Sequence, residues 1–301
     1  MQRFHEIAVI LNPTSGRGKA AKLREKVRAL LSGCTELIHW YETEYPGHAT
    51  ELARNIPETS ECLVVVGGDG TVNEAVNGLL GKEVPLAVLP VGSGNDFARA
   101  LGLPFNYRKA YEVLCKKAVK RIDVGLVNGR YYPNALGLGF DADVVVESNK
   151  ICRLRGILIY LYAVVKNIFK YRPYRVKVHL DGRTVEKKIL LLTVANGISL
   201  GGGFLLTPTA KNDDGLFDVC IIEAMPKLLI FWHLPKVFWG GHVKMKQTSM
   251  FQARKVVVEA VTPIAGHVDG ELLGTTDHVY RAEILPRALP VIWNAEQQQN
   301  G

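Results

Sequence analysis

VVVGGDGTVNEAVNGLL, residues 64–80, sets an aspartate among glycines where an apolar run turns into a helical pattern. Three valines lead into Gly67, Gly68, Asp69, Gly70 and Thr71, and apolar residues then recur at helical spacing as far as Leu80. A short buried strand followed at once by a helix is the building unit of a parallel α/β sheet. In such sheets ligands collect at the carboxyl ends of strands, where loops enter helices. The glycines let backbone approach phosphate oxygens, and the Thr71 hydroxyl either caps the helix or binds phosphate. Taken alone, GGDG is explained as well by a tight turn with Asp69 as N-cap as by a phosphate site.

The flanking sequence tips that balance toward a ligand. Strand-like runs fall at 7–11, 37–41, 63–66 and 85–89, alternating with helical stretches at 19–31, 49–55, 72–80, 95–101 and 107–119. Two more loops rich in small polar residues leave strands the same way: LNPTSGRGKA (11–20) and PVGSGNDFARALGLP (90–104). Each runs into a helix whose first N–H groups and positive dipole end are open to an anion. Three such turns on one edge predict a single extended phosphate-bearing ligand, such as a nucleoside triphosphate. Asp69 would repel that ligand unless a cation stood between them, so it is read as holding Mg²⁺ through water. Gly16, Gly18 and Ala21 also fit a dinucleotide fingerprint, but Asn12, Pro13, Thr14 and Ser15 separate them from the strand, and the match is read as incidental.

After Arg121 the rhythm changes to hairpins. RIDVGLVNGRYYPN turns at Asn128 and Gly129, and RVKVHLDGRTVEKKILLLTVAN at Asp181 and Gly182, dipeptides that suit type I′ turns. Further strands are expected at 216–222, 255–261, 267–272 and 279–285, with helices at 157–170 and 227–239. The expected architecture is an α/β nucleotide-binding domain with a parallel sheet over 1–124 and a mainly antiparallel β domain over 125–301, whose last strand can pack back on the first.

The 301 residues suffice for two domains, and 48% apolar with 22% charged residues is a globular composition. No apolar run reaches the ~20 residues that span a bilayer; the nearest, 157–169, contains Lys166. The first residues read as a strand and not as a signal peptide, so the expected location is cytoplasmic. Cys34, Cys62, Cys115, Cys152 and Cys220 are scattered, none in CxxC spacing, and read as buried free thiols. A net charge of +8 favours an anionic partner. The basic residues are dispersed and no recognition module is present, so no nucleic acid is expected. The terminal QQQNG reads as disordered.

At its three loops the sequence resembles the diacylglycerol kinase catalytic-domain family, in particular its soluble bacterial lipid kinases. The likeness rests on LNPTSGRGKA, on Thr43 with Gly47, His48 and Ala49, on VVGGDGTVNEAVNGL and on LPVGSGNDFARALGLP. It continues in order through RIDVGLVNG, YPNALGLGFDADV, GGGFLLTPTAKNDDGLFDV and HVDGELL. GGDGT is also like NAD kinases and phosphofructokinases; GSGNDFAR and the later DG motifs make the lipid-kinase likeness specific.

The resemblance implies a first domain similar to phosphofructokinase, a larger β-sandwich domain that receives the lipid substrate, and ATP in the cleft between them. Carried over by motif, Asn12, Pro13, Thr14, Ser15, Gly16 and Thr43 would surround the nucleotide. Gly68, Asp69, Gly70, Thr71, Val72, Asn73 and Glu74 would hold its phosphates, with Gly94, Asn95 and Asp96 nearby. Asp69, Asp96 and Asp123 look like the family's acidic network linking water, metal and nucleotide. Lys211, Asp214 and Leu216 match a loop that binds a structural Mg²⁺ through one carboxylate and backbone carbonyls. Asp269 and Glu271, in HVDGE, match the motif carrying the proton acceptor, with Asp269 slightly favoured. On spacing alone, both Asp269-Gly270 and Asp213-Asp214-Gly215 are plain turns. His267 stands where the family often has Gln and Leu200 where it often has Tyr, and both bear on which lipid is accepted.

These residues fit an ATP- and Mg²⁺-dependent lipid kinase acting on diacylglycerol or a related lipid. Helix N-termini, Arg17, Lys19 and Mg²⁺ would neutralise the phosphates while a carboxylate takes the hydroxyl proton. The alternatives are a soluble-substrate kinase of NAD-kinase type and a non-catalytic nucleotide-binding regulator. KLLIFWHLPKVFWGGHVKMK (227–246) sets Phe231, Trp232, Phe238 and Trp239 beside Lys227, Lys236, Lys244 and Lys246. That mixture suits peripheral contact with an anionic membrane surface, or equally a helix packed on the sandwich and interrupted at Pro235. Oligomeric state is open between monomer and homodimer.

Overall fold

The computed structural model describes residues 3–148, 150 and 157–296; Cys152 and the 297–301 tail lie outside them. The chain divides into two compact units, Met1–Val124 with Pro286–Gly301, and Gly125–Leu285. The expected second domain, 125–301, therefore gives up its last residues to the first unit.

In the first unit β1 (Phe4–Leu11), β2 (Thr35–Glu42), β3 (Leu63–Gly67) and β4 (Leu86–Pro90) are parallel and ordered β2-β1-β3-β4. The end of β15 (Val279–Ile292) joins beside β4, with Val291 opposite Leu86. Every residue of β3 and β4 is buried, which explains the unbroken apolar runs: parallel strands are covered on both faces. Between the strands lie α1 (Ser15–Leu31), α2 (His48–Arg54), α3 (Asp69–Leu79), α4 (Asp96–Ala100) and α5 (Tyr107–Cys115). Gly16, Arg17 and Gly18 take φ of 59°, 60° and 79°, so the regular turns of α1 begin near Lys19, as its sequence pattern predicts. α5 stops short of the expected 119 because Lys117 adopts φ 53° and the chain straightens into β5 (Val119–Val127). Register fixes the functional edge. Leu11 lies opposite Val66 and Gly67 opposite Pro90, so the loops after β1, β3 and β4 emerge side by side. Strand order reverses between β1 and β3, the switch point where open α/β sheets bind ligands.

The second unit is antiparallel. β6 (Arg130–Tyr132), β7 (Ala135–Gly139), β8 (Tyr174–Leu180), β9 (Arg183–Ala195), β10 (Phe217–Glu223), β11 (Thr248–Ala253) and β12 (Lys255–Ala260) are followed by a short hairpin, β13 (Gly266–Val268) and β14 (Glu271–Gly274). Their order is β14-β13-β7-β9-β8-β12-β15, with β10 between β9 and β11. The predicted turns hold the left-handed geometry that type I′ requires: Asn128 and Gly129 at φ 47° and 86°, Asp181 and Gly182 at 46° and 95°. The strand expected at 267–272 is instead the β13–β14 hairpin, because Asp269 and Gly270 also turn left-handed, at φ 50° and 88°. One core gathers Leu136, Leu192, Val194, Phe217, Val219 and Val256 between the strands. A second lies under α6 (Phe140–Ser148), α7 (Ile157–Lys170) and α8 (Lys227–His233), and includes Phe140, Val164, Leu190 and Ile230. This covering explains β9, whose residues are mostly exposed up to Lys188 and buried without interruption from Ile189 to Ala195. The expected helix 227–239 breaks at its proline: α8 ends at His233 and a 3-10 helix, Leu234–Trp239, continues. Among the described residues no helix is long and apolar enough to cross a membrane. Cys34, Cys62, Cys115 and Cys220 are buried and free.

Candidate active site

Asn12 organises the first loop. Its Nδ2 donates to Thr71 Oγ1 at 2.9 Å, and its Oδ1 accepts from the Thr14 N–H at 3.0 Å and the Thr14 hydroxyl at 2.8 Å. Ser15 Oγ comes within 3.3 Å of the same Thr71 oxygen. The loop after β1 is thereby tied to the first turn of α3. Pro13 and Gly16 complete it, and Thr43, buried at the end of β2, donates its N–H to Leu11 O at 3.0 Å.

The glycines have a packing role that the sequence reading missed. A Cβ on Gly92 would stand 2.5 Å from Gly68 Cα, and one on Gly16 would stand 2.2 Å from Val91 O. The three loops touch backbone to backbone, which only residues without side chains permit. Asp69 opens α3, and its Oδ1 accepts the Phe97 N–H at 3.1 Å, capping α4 and tying the loop after β3 to the loop after β4. Gly94 precedes Asn95, which sits left-handed at φ 55° and donates its Nδ2 to Gly92 O at 3.0 Å. Asn95 Oδ1 is buried without a hydrogen-bond partner. Asp96 is buried, with Arg99 Nε 3.9 Å away.

Other predicted residues sit further from this edge. Thr71, Val72 and Asn73 are all buried in α3, and the Val72 N–H already bonds Gly68 O, leaving Asp69 and Gly70 as the more open part of that turn. Glu74 accepts the Gly47 N–H at 2.8 Å and the Ala49 N–H at 3.1 Å, so its carboxylate caps α2 and is spent on structure. Asp123 is fully buried on β5 and accepts the Arg287 N–H at 2.7 Å. Among the described residues no three His, Cys, Asp or Glu side chains converge as a metal cage.

In the second unit the DG turn is clamped onto β7. Asp269 Oδ1 accepts the Ala135 N–H at 2.8 Å and the Asp269 N–H donates to Ala135 O at 3.0 Å. Glu271 pairs with Arg130 at 2.6 Å and is half-exposed. His267, fully buried, accepts the Gly270 N–H on Nδ1 at 3.2 Å and points Nε2 at Asp141 Oδ2, 3.5 Å away. Gly137 makes room for that meeting; a Cβ there would stand 2.1 Å from Asp141 Oδ2. Among the described residues Asp141 is the one charged residue lining an otherwise apolar cavity of about 60 Å³, walled by Phe140, Val144, Val164, Leu191 and Leu206 among others. Next along α6, burial pushes the Asp143 carboxyl up to about 6, against the opposing pull of the Tyr174 hydroxyl, which donates to both its oxygens. Burial, with Asp269 nearby, also raises the Tyr132 phenol. Asp214 Oδ1 accepts the Leu216 N–H at 3.1 Å in a tight turn, with Lys211 exposed just before it. Asp141 and Arg130 were not singled out from sequence. Their only signal was position within the GFDADV and VNGR stretches, since neither reveals its partner until the strands pair.

A switch-point site built from three helix-entering loops, followed by an antiparallel unit with a clamped carboxylate turn, is the architecture of a kinase family that sequence comparison identifies. The chain belongs to the diacylglycerol kinase catalytic domain family. That family's model matches residues 6–127, and a second, the YegS C-terminal NAD kinase beta sandwich-like domain, matches 134–293. A diacylglycerol kinase of Bacillus subtilis (strain 168) is 31% identical over 271 residues, covering 88% of this chain and 89% of that protein. The crystal structure of a diacylglycerol kinase from Bacillus anthracis str. Sterne superposes with a TM-score of 0.77 at 25% identity, over 98% of this chain and 99% of that one. Yeast NADH kinase, complexed with NADH, shares the fold at a TM-score of 0.53 and 10% identity, covering 98% of this chain and 85% of its own.

Proposed function

We propose that this kinase uses ATP with Mg²⁺ to phosphorylate the hydroxyl of diacylglycerol or a related lipid, working on the cytoplasmic side of an anionic membrane surface. The observation that carries the reading is the backbone-to-backbone packing of the Gly16, Gly68 and Gly92 loops at the switch point of a parallel sheet. Backbone N–H groups of the first turn of α3 and of the glycine loops preceding α1 and α4 would meet an extended polyphosphate there. Arg17 and Lys19 add positive charge beside the first loop.

The carboxylates of Asp69 and Asp214 are hard oxygen donors of the kind Mg²⁺ takes, and Mg²⁺ is ordinarily held by one or two of them plus substrate phosphates. Asp69 would hold the ion at the phosphates, and Asp214 with the Lys211 and Leu216 carbonyls a second one; charge on the transferring phosphoryl oxygens is offset by Mg²⁺ when bound. The lipid hydroxyl oxygen forms the new bond to the γ-phosphorus as the bond to the β-phosphate oxygen breaks. Its proton passes to a carboxylate of the DG turn. Asp269, held on β7 by the Ala135 N–H, is taken as the base, with Glu271, paired with the Arg130 guanidinium, as the alternative.

Asp69→Ala tests the reading. Transfer of labelled phosphate to lipid in mixed micelles should vanish while the thermal melt stays close to the parent's. Near-normal turnover would remove Asp69 from the mechanism.

A further inference from the structure

The second unit exposes its largest apolar side chains in one place. Leu228 and Trp232, one turn apart on α8, are 83% and 75% exposed, and Trp239 in the 3-10 helix is 64% exposed. Phe169, at the end of α7, is 68% exposed and meets the Phe231 ring of α8 with centroids 6.0 Å apart, so the two helices present one surface. These helices are not loosely attached. Ile230 and Val237 are buried against the second core, which fixes which side faces outward. A packed α8 and 3-10 helix that turn Leu and two Trp to water while burying smaller neighbours have an unmet partner.

Basic side chains dominate the charge around this surface. Residues 224–247 hold Lys227, Lys236, Lys244 and Lys246 with no Asp or Glu, and 162–175 hold Lys166, Lys170, Arg172 and Arg175 with none either. Lys244 and Lys246 are exposed. Glu147 offsets part of this charge by pairing with Lys166 and Lys170.

We propose that this face is the docking surface for a fluid bilayer carrying anionic headgroups, with Leu228, Trp232, Trp239 and Phe169 inserted at the headgroup boundary and the lysines against the phosphates. Trp at an interface beside Lys is the composition that headgroup regions select. A second copy of the chain is the poorer occupant, because a two-fold contact would set this lysine-rich patch against itself. Val164 of α7 and Leu234 and Val237 of the 3-10 helix also wall the apolar cavity, so docking would set that cavity next to the bilayer. The inference deepens the lipid-acceptor reading, yet its test needs no catalysis.

Co-sedimentation of the full-length protein with phosphatidylglycerol–phosphatidylcholine vesicles, without nucleotide or diacylglycerol, decides it. The wild type should bind these vesicles and leave pure phosphatidylcholine vesicles largely unbound. The triple variant Leu228→Ser, Trp232→Ser, Trp239→Ser should lose about tenfold in vesicle affinity. So should Lys236→Glu, Lys244→Glu, Lys246→Glu, which also tests the charge term if the first variant fails to fold. A wild type that ignores anionic vesicles, or either folded variant binding like wild type, overturns the proposal. A wild-type dimer in analytical ultracentrifugation that the serine variant converts to monomer overturns it too. Vesicle binding by a protein without kinase activity would leave this surface standing and sink only the catalytic reading.

Discussion

Gly92→Ala is the sharpest perturbation the loop packing offers. The new Cβ would lie 2.5 Å from Gly68 Cα, where ordinary contact begins at 3.4 Å, so the two loops must part by about 0.9 Å. It would also crowd Asn95 Oδ1 at 2.9 Å. Gly92 has no left-handed φ, so the collision is the whole penalty. Overpacking of this size costs about 1–3 kcal/mol, and hence a fall of roughly 2–12 °C in melting temperature for a unit of this size. The larger effect falls on function, since a misplacement of ~1 Å at a phosphate site lowers the rate about 10²-fold. Labelled transfer from ATP to diacylglycerol in mixed micelles, beside a calorimetric melt, reads both quantities. Gly18→Ala is the control: its Cβ would meet nothing within 4 Å, and only its φ of 79° is strained. Turnover in Gly92→Ala close to that of wild type would show that the contact between these loops does not set the nucleotide site.

Asp269→Asn should retain ATP binding by calorimetry while transfer falls about 10²–10⁴-fold; if only Glu271→Gln did this, the base would be Glu271. Glu74→Ala removes both acceptors at the N-terminus of α2 and should cost about 1–2 kcal/mol in a denaturant titration, with Glu74→Gln recovering part of it. Asp143 holds its proton more tightly when folded, at about 6 against 3.8, because burial disfavours the charge. Its contribution to stability is therefore neutral below about pH 4 and falls as pH rises to about 6. Asp143→Asn should then melt higher than wild type at pH 7.5, with that advantage gone at pH 4; an equal shift at both would contradict the burial argument.

Residues that declare their own backbone geometry were legible in the sequence. Asn128-Gly129 and Asp181-Gly182 turn where their dipeptides say, and the valine run before Gly67 is the central strand it reads as. Asp269-Gly270 carried the same signal, yet the apolar residues around it suggested one strand where the chain makes a hairpin. β15 runs on past Pro286 and Pro290 to Ile292, although proline usually argues against a strand. Its parallel pairing with β4 is a long-range contact that no local pattern reveals. α6 was not recognised because FDADVVVES puts three β-branched residues in a row, a strand-like composition overridden by burial against the second core. The nucleotide loops were readable as loops, but not the division of labour within them. Glu74 looks like any acid near a phosphate turn until Gly47 and Ala49 are brought to it.

The central claim is phosphoryl transfer to a lipid hydroxyl, and the direct measurement is incubation with γ-labelled ATP, Mg²⁺ and a panel of lipids in mixed micelles, with products separated and identified. The account predicts label on diacylglycerol, or on another lipid alcohol of the panel, at a rate that Asp69→Ala abolishes. Label released as free phosphate only, or transferred to NAD and to none of the lipids, would contradict it.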